Sequence, residues 1–313
     1  MQVKRRDKGT ALISALFIMT LVAIVATAMS TRLQLDIYRT RLTINGDKLN
    51  LASQAVAFWA LTEISAPKLK FTHSDNSGKL ADFPKKLQGI YPDATIDGAL
   101  YDLQGRFNLN DVSDKKYQFT FQELLKNIAA KLEQNQRNAL TASLISWISP
   151  YQPGQADVDL SYYLKQKPPY YPAHQFMVNI SEFRLLSGVS AKLYLSLKDY
   201  LTTLPEVTPI NINTASKPVL MSLGMGLTGS QVDELIAARG KKGIQDLTKI
   251  NPLLEKLHIR SEQVTIESKY YLSISNVHTE NLSLTRYSVL KREKDKQGKI
   301  TVSLISEGLN SFE

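Results

Sequence analysis

The chain has 313 residues, enough for two domains of ordinary size. Its composition is that of a globular protein, and a formal net charge of +9 is too small a bias to indicate nucleic-acid binding by itself. The absence of cysteine excludes a disulfide, a thiol nucleophile and a cysteine-ligated metal.

The first clear element is an apolar run. Residues 10–31 contain no charge, and their length is close to the roughly 20 residues with which a helix crosses a bilayer. Basic residues precede the run, so the positive-inside rule predicts a cytoplasmic N-terminus and a body beyond the membrane. The run includes a small-x-small triplet typical of secretory cleavage sites, but it is longer than the roughly 7 to 15 apolar residues of a cleaved signal. We therefore predict a membrane anchor.

The helical pattern continues beyond this run. Ala52, Val56, Trp59 and Ala60 recur on one helical face, and no helix breaker occurs before Pro67. We predict a single helix over about residues 10–64. Its first half would lie in lipid, and its second half would pack on the globular body.

The body alternates between strand and helix patterns. Alternation of period two over residues 94–107 predicts strands, and helical periodicity dominates from 119 to about 204. After Tyr271 the period of two returns, with residues 295–298 placed to turn the last hairpin. The predicted fold class is therefore α+β, with a helical domain inserted into a domain formed by the long helix and an antiparallel sheet.

The helical part has two further local signals. Leu124, Ile128 and Leu132 fall on one face of a predicted helix. Asn179 and Glu182 have the spacing of a capping box, which predicts a third helix starting there and gives Glu182 a capping role.

Residues 224–229 spell GxGxxG. A dinucleotide-binding oxidoreductase would need a strand before this loop, whereas the preceding residues look like a helix with Pro218 in its first turn. Residues 212–250 instead resemble a helix-hairpin-helix unit, whose Gly-x-Gly turn can contact phosphate. The second turn of a paired unit would fall in residues 249–257, which contain no glycine. A helical packing module and a DNA-binding module both remain open.

Few residues in the chain could carry chemistry. The four histidines are far apart, and the sequence has no zinc-binding HExxH, Gly-x-Ser-x-Gly elbow or Walker loop, so we do not expect an enzyme. Asp157 and Asp159 are two carboxylates in a loop with Gly and Pro, a pattern that can ligate calcium. They supply fewer than the roughly six to eight oxygens that calcium takes, so a solvated loop is the alternative.

Lys8, Gly9 and Thr10 mark the junction between the basic tail and the apolar run. A basic leader that ends in glycine before such a helix resembles the class III signal of type IV pilins and pseudopilins. The resemblance implies cleavage after Gly9 by a prepilin peptidase and N-methylation of Thr10.

Several stretches occur in a specific order: this leader and helix, GRFNLND, the run from WISPYQPGQADVDL to SAKLY, and INTASKPVL. In this order they resemble the K-type minor pseudopilins, the general secretion pathway protein K family, over nearly the whole chain. The resemblance implies a pilin-like fold with a large inserted all-α domain that contains the helix-hairpin-helix-like unit. The segments would be a leader (1–9), the N-terminal helix (10–66, transmembrane over 10–31), the first part of the αβ body (67–112), the inserted α-domain (113–205), the helix-hairpin-helix-like unit (206–265) and the C-terminal strands (266–313).

The same resemblance implies a function and a location. The chain would be a single-pass bacterial inner-membrane protein with a periplasmic body. It would cap and nucleate the pseudopilus tip with I-type and J-type minor pseudopilins for export across the outer membrane. Further partners would be the major pseudopilin, the prepilin peptidase and the inner-membrane assembly platform. Calcium would bind in the α-domain through Asp157 and Asp159, although Ser149 stands where relatives usually carry an acid. The alternative is a membrane-anchored DNA-binding protein of a type IV pilus or DNA-uptake system.

Ser14 favours the tip position. Pilins generally carry Glu at the fifth mature position, where it can pair with the N-terminal amine of a neighbouring subunit, and cleavage after Gly9 would put Ser14 there. An unpaired carboxylate in lipid is costly, so a subunit with no neighbour above it is more stable without one. A small helix-packing residue is the alternative interpretation. The size of the inserted domain also suits a cap better than a repeating subunit.

Overall fold

The computed structural model describes residues 7–66, 71–75, 78–91, 93–154 and 157–310. The helices are α1 (Asp7–Ile64), α2 (Lys115–Ile128), α3 (Gln134–Ile148), α4 (Leu160–Tyr163), α5 (Ala191–Leu197), α6 (Lys217–Met221), α7 (Gly229–Arg239) and α8 (Asn251–Lys256). The strands are β1 (Lys79–Asp82), β2 (Thr95–Asp102), β3 (Phe107–Asn108), β4 (Leu201–Thr202), β5 (Ile210–Asn211), β6 (Val264–Thr265), β7 (Tyr270–His278), β8 (Ser283–Lys294) and β9 (Ile300–Leu309).

The chain divides into two compact units, one ending at Leu51 and one beginning at Ala52. The first unit contains the apolar part of α1, which confirms the predicted long helix. An 18-residue window of this helix has a mean hydropathy of 2.5, so the helix is long and apolar enough to cross a membrane.

The second unit contains a five-stranded antiparallel sheet in the order β1-β2-β7-β8-β9. Strand β2 precedes the helical region and β7 to β9 follow it, as predicted. Strand β1 was not predicted, because the segment around it is rich in loop-forming residues. The predicted alternation over residues 94–107 becomes β2 and the short β3. The chain turns between β8 and β9 at Asp295, whose N–H donates to Lys299 O at 3.0 Å.

The part of α1 that starts at Ala52 packs on this sheet. Ala52, Val56 and Ala60 are fully buried, as their spacing predicted. The helix approaches β2 so closely that a Cβ on Gly98 would lie 2.6 Å from Val56 Cγ1 and 2.6 Å from Ile274 O. Only glycine permits this approach, because any side chain would push α1 off the sheet.

Two buried arginines of β8 hold the same part of α1. Arg292 Nε donates to Ile64 O at 2.8 Å and its Nη2 to Ala66 O at 3.2 Å. These carbonyls belong to the C-terminal end of α1, where backbone acceptors have no partner within the helix and where a positive charge is favoured. Arg286 Nε donates to Ser53 Oγ at 2.8 Å.

The helical region is inserted between β2 and β7 and has one continuous core, to which α2, α3 and α5 to α8 all contribute. Two short parallel strand pairs close it. β3 pairs with β4 at the start and end of the first helical block, and β5 pairs with β6 at the start and end of the second. The ends of each block therefore lie side by side, so the blocks can be inserted without separating the strands of the sheet.

Two local predictions in this region need correction. Helix α2 ends at Ile128, so Leu132 is not on its face; it lies in the following turn and packs partly against the core. The segment after Asn179 forms a 3-10 helix, Ile180–Leu185, instead of an α-helix. The capping box itself is confirmed, because Glu182 Oε1 accepts the N–H groups of Val178 (2.8 Å) and Asn179 (3.0 Å).

A buried carboxylate joins the sheet to the second helical block. Asp102, at the end of β2, is 1% exposed and accepts hydrogen bonds from four groups. The donors are Thr214 Oγ1 (2.6 Å), Ser268 Oγ (2.7 Å), Gln104 N (2.8 Å) and Asn211 Nδ2 (2.9 Å). Burial raises the pKa of Asp102, and these hydrogen bonds act in the opposite direction.

A second polar cluster joins the start of the first helical block to its end. Asn110 Nδ2 donates to Met177 O at 2.9 Å and to Leu204 O at 2.8 Å. Asp111 Oδ1 accepts from Asn108 Nδ2 at 2.7 Å and from Thr208 N at 2.9 Å. The other oxygen, Asp111 Oδ2, is buried without a hydrogen-bond partner among the described residues. Burial raises the pKa of the Asp111 carboxyl well above its ordinary range.

We expect Arg292→Leu to lower the free energy of unfolding by about 1 to 3 kcal/mol, since it leaves two carbonyls at the end of α1 without their donor. Urea unfolding of the full-length chain in detergent micelles measures this. Lys294→Leu, on an exposed residue of the same strand, is the control and should change stability by less than about 0.5 kcal/mol. Equal effects of the two variants would contradict the capping role.

We expect Asp111 to make the chain less stable as pH rises. Its raised pKa means that the folded state binds a proton more tightly than the unfolded state does, so its contribution to stability decreases from about pH 4 up to the raised pKa. Within that window each pH unit changes the free energy of unfolding by about 1.4 kcal/mol. Asp111→Asn should remove this decrease, measured by urea unfolding between pH 4 and pH 7. Parallel pH profiles for the two proteins would refute the assignment.

Candidate functional site

The predicted processing site lies at the start of α1. Residues 1–6 of the leader lie outside the described residues, whereas Gly9 and Thr10 fall within the helix. Cleavage after Gly9 and methylation of Thr10 stay predictions, because the fold alone does not test either modification.

The hydroxyl groups of the apolar segment bond to the helix itself. Ser14 Oγ donates to Thr10 O at 2.9 Å, and Thr27 Oγ1 donates to Ala23 O at 2.8 Å. Thr20 Oγ1 bonds to Phe17 O in the same manner at 2.8 Å. A donor in lipid has no water to bond to, so this arrangement suits a membrane-spanning segment. At Ser14 it also leaves a neutral, internally bonded hydroxyl group.

The two aspartates predicted to bind calcium have different partners. Asp157 Oδ1 lies 3.4 Å from His174 Nε2. The other ring nitrogen, Nδ1, lies 3.1 Å from Ser149 O and must carry the proton in that hydrogen bond. Asp159 has φ +63° directly before α4, and its Oδ2 accepts a hydrogen bond from Ser143 Oγ of α3.

The same two side chains line different concavities. Asp157 lines a cleft of about 330 Å³ together with Ser146, Ser149 and His174. Asp159 lines a smaller one of about 170 Å³ with Ser143. The described residues contain no group of three or more His, Asp or Glu placed to share a metal.

This arrangement does not fit a calcium ion held jointly by Asp157 and Asp159. Each concavity receives one carboxylate, and the neighbour of Asp157 is an imidazole nitrogen, whereas calcium takes roughly six to eight oxygens. Ser149 offers its backbone carbonyl to His174, and its hydroxyl group donates to Ile145 O at 2.6 Å. The calcium prediction therefore stays a prediction that this geometry does not support.

The GxGxxG stretch is a turn between two helices. Helix α6 precedes Gly224, with Pro218 in its first turn, and α7 follows. The strand required by a dinucleotide site is absent from this described segment, as expected.

The second turn of the helix-hairpin-helix-like unit does not fall in residues 249–257. That segment is helical, and the chain turns after it at His258, with φ +53°. The absence of glycine there misled the prediction, because histidine adopts this left-handed conformation more readily than most residues.

The first turn is covered by oxygen atoms. A Cβ on Gly224 would lie 2.5 Å from Leu257 O, so the two turns of the unit pack together. Gly226 lies against the carboxylate of Glu123, a largely buried residue of α2. A carbonyl and a carboxylate at this turn disfavour a phosphate group, and the contacts favour the packing module over the DNA-binding alternative.

Sequence reasoning missed what the asparagines of GRFNLND and INTASKPVL do. No buried role was predicted for them, and the structure places Asn108, Asn110 and Asn213 in buried polar clusters. Asn213, for example, donates to Ile244 O at 2.9 Å and accepts Ile244 N at 2.8 Å. Their concentration beside apolar strand residues is the one signal of this role that the sequence contains.

Comparison with known proteins places this architecture in one family. A family model described as type II secretion system, protein K, matches residues 105–206, and another of the same description matches 210–267, together just over half of the chain. Each matched region contains one helical block with the strand pair that closes it.

Full-length relatives and a solved structure agree with this assignment. Type II secretion system protein K of Aeromonas hydrophila is 30% identical over 273 residues, which covers 76% of this chain and 78% of the relative. The protein of the same name from Pseudomonas aeruginosa is 28% identical and covers 96% of this chain and 92% of its own. A chain in the crystal structure of the GspK-GspI-GspJ complex from enterotoxigenic Escherichia coli matches with a TM-score of 0.69 at 22% identity, over 87% of this chain and 99% of that one, and shows the same fold.

With a long N-terminal helix whose part from Ala52 packs on an antiparallel sheet, and with two inserted helical blocks, this chain belongs to the type II secretion system protein K family of minor pseudopilins.

Proposed function

We propose that this chain forms and caps the tip of a pseudopilus together with I-type and J-type minor pseudopilins. The observation that carries the proposal is the combination, in one chain, of a pilin-like helix and sheet with a helical insertion that spans the whole segment from β3 to β6. An insertion of this size can end a thin filament but obstructs the stacking of one subunit on the next. The solved complex of the related GspK with GspI and GspJ supports the choice of partners.

The first helix supports the end position. Its apolar segment joins the helical bundle of the filament, and Ser14 adds no charge to that bundle. In a repeating subunit, an acidic side chain at this position would pair with the N-terminal amine of the neighbour above. A subunit that begins the filament has no such neighbour and needs no acid there. The major pseudopilin and the inner-membrane assembly platform would then add subunits below.

The same helix supports a position in the inner membrane. Lys and Arg before the apolar run favour a cytoplasmic N-terminus and a periplasmic body in the bacterial inner membrane. Prepilin peptidase would reach the leader on the cytoplasmic side and cut after Gly9. Export of secreted proteins across the outer membrane would be the task of the assembled filament.

The chain acts by binding, and we propose no catalysed reaction. Protein K is a structural subunit, and the carboxyls with raised pKa values, Asp102 and Asp111, are enclosed in the polar clusters that join the sheet to the helices. Perturbed pKa values can mark active sites, but here burial in a structural junction accounts for both.

We expect the full-length chain to co-purify in detergent with I-type and J-type subunits as a stable complex. In cells that assemble pseudopili, deletion of this chain should reduce the number of filaments more than their length, because a tip acts at initiation. A complex that never forms, together with an unchanged filament number, would refute the proposal. Repeating the co-purification with a calcium chelator tests the calcium prediction separately, since loss of the complex only without calcium would support it.

We expect Gly9→Val to leave the leader uncleaved, because the peptidase would have to accept a branched side chain at the cleaved bond. Intact-mass analysis of the protein from membranes would show the precursor and no methyl group on Thr10. Lys8→Gln, which alters the leader but keeps Gly9, is the control and should be processed. A normal mature N-terminus at Thr10 in the Gly9 variant would show that cleavage does not occur there.

A further inference from the structure

The two edges of the five-stranded sheet differ in how they are protected. Strand β1 has four residues and carries an ion pair, in which Lys79 Nζ lies 2.9 Å from Asp82 Oδ1. Strand β9 has ten residues, and its one charged side chain, Glu307, is paired with Arg286 Nη1 at 2.9 Å. Short length and charge keep an edge from pairing with other chains, and β9 has neither protection.

The outer edge of β9 has no partner strand among the described residues, since the sheet order ends at β9. Leu304 and Leu309 are about half exposed, at 50% and 51%. The register shift opposite Val289 and Leu290 makes Ile305 an extra residue on β9. This bulge places Ile305, which is 44% exposed, at the wall of a neighbouring groove.

The groove runs beside β9 on the sheet face opposite α1. Arg286 and Arg292 point from β8 to α1, so Tyr287 and Val289, at alternate positions, face the other way and line the groove. Its volume is about 460 Å³, and its opposite wall includes Phe176, Val178 and Leu204. Val178 is 80% exposed, although it is apolar. Glu307 is the one charged residue in the described lining.

The charges near this edge are arranged unevenly. Lys294, Lys296 and Lys299 are exposed at the hairpin where β9 begins. The nearby Asp295 carboxylate accepts the backbone N–H groups of Gln297 at 2.9 Å and Lys299 at 2.7 Å, so it is engaged in shaping the turn. One end of the edge is therefore positive, and the rest of β9 carries a single charged side chain, Glu307, which is paired with Arg286.

We infer that β9 binds an extended segment of a partner pilin-like subunit, which adds to the sheet as a further strand. Unpaired backbone groups along an edge match another strand, and a pocket beside the edge accepts alternate side chains of that strand. The segment would be uncharged in its middle, with an apolar side chain in the groove beside Ile305. It would carry acidic residues at the end that lies next to Lys296 and Lys299. The inference rests on the proposed function, because it concerns one contact within the proposed complex.

A second copy of this chain fits the edge less well. Two antiparallel β9 strands would bring the lysines of one hairpin to the Leu309 end of the other strand. Glu307, the one acid on β9, is already paired with Arg286. A self-pairing edge would thus offer the lysines no unpaired acidic side chain on the facing β9 strand.

Two measurements on the full-length chain in detergent test this contact. Hydrogen exchange with mass spectrometry compares the chain alone with its complex with I-type and J-type subunits. We expect the β9 amides to exchange at least about tenfold more slowly in the complex, while the β1 amides serve as the internal control and stay unchanged. Slowed exchange requires no variant, so it remains informative if a substitution unfolds the protein.

Affinity for the partners is measured with Ile305→Lys and with Leu195→Lys as the matched control. Leu195 is 59% exposed on α5 and lies outside the groove lining, so the control makes the same chemical change elsewhere. Ile305→Lys should weaken the complex at least about tenfold, and Leu195→Lys should not.

An Ile305→Lys variant that binds normally, or β9 amides that are not protected, would overturn the inference and leave the proposed function intact. Failure of the wild-type chain to form any complex would instead refute the proposed function. A homodimer that Ile305→Lys dissociates would assign the edge to a second copy and would also overturn the inference.

Discussion

Polar groups removed from water must find hydrogen-bond partners inside the protein, and this requirement determines how the sheet and the helices of this chain are joined. Asp102 sits where β2 ends, and its donors come from residues that begin the second helical block and from Ser268, just before β7. One carboxylate therefore holds together the places where the chain leaves the sheet and returns to it. Hydrogen bonds from the Asn108 and Asn110 side chains to the carbonyls of Glu206 and Leu204 likewise join the start of the first block to its end.

Periodic elements were predictable, because their signal lies within a few residues. The long helix, the buried face with Val56 and the final three strands all follow from spacing alone. The polar junction was not predictable in this way. Asp102 and Ser268 are 166 residues apart, and nothing local to either residue identifies the other as its partner. The role of the asparagines likewise depends on which distant backbone groups the fold brings to them.

Short sequence spacing also proved a poor guide to a shared site. Asp157 and Asp159 are two residues apart, yet their side chains contact His174 and Ser143 respectively. A left-handed conformation at Asp159 changes the direction of the chain at that point, which alternation along the sequence cannot reveal. The opposite error occurred at His258, where the missing glycine suggested that the turn was lost although the turn still forms.

The closed helical blocks explain how one family can combine a filament-type sheet with a large insertion. Because β3 pairs with β4 and β5 with β6, each block starts and ends at nearly the same place, and the pairing of β2 with β7 runs without a break from Thr95 to Asp102. The insertion also provides one wall of the groove beside β9, through Phe176 and Leu204. A sheet edge alone would accept any strand, whereas an edge with a pocket beside it can distinguish between partners by their side chains. The helical blocks therefore contribute to the choice of partner as well as to the bulk of the body.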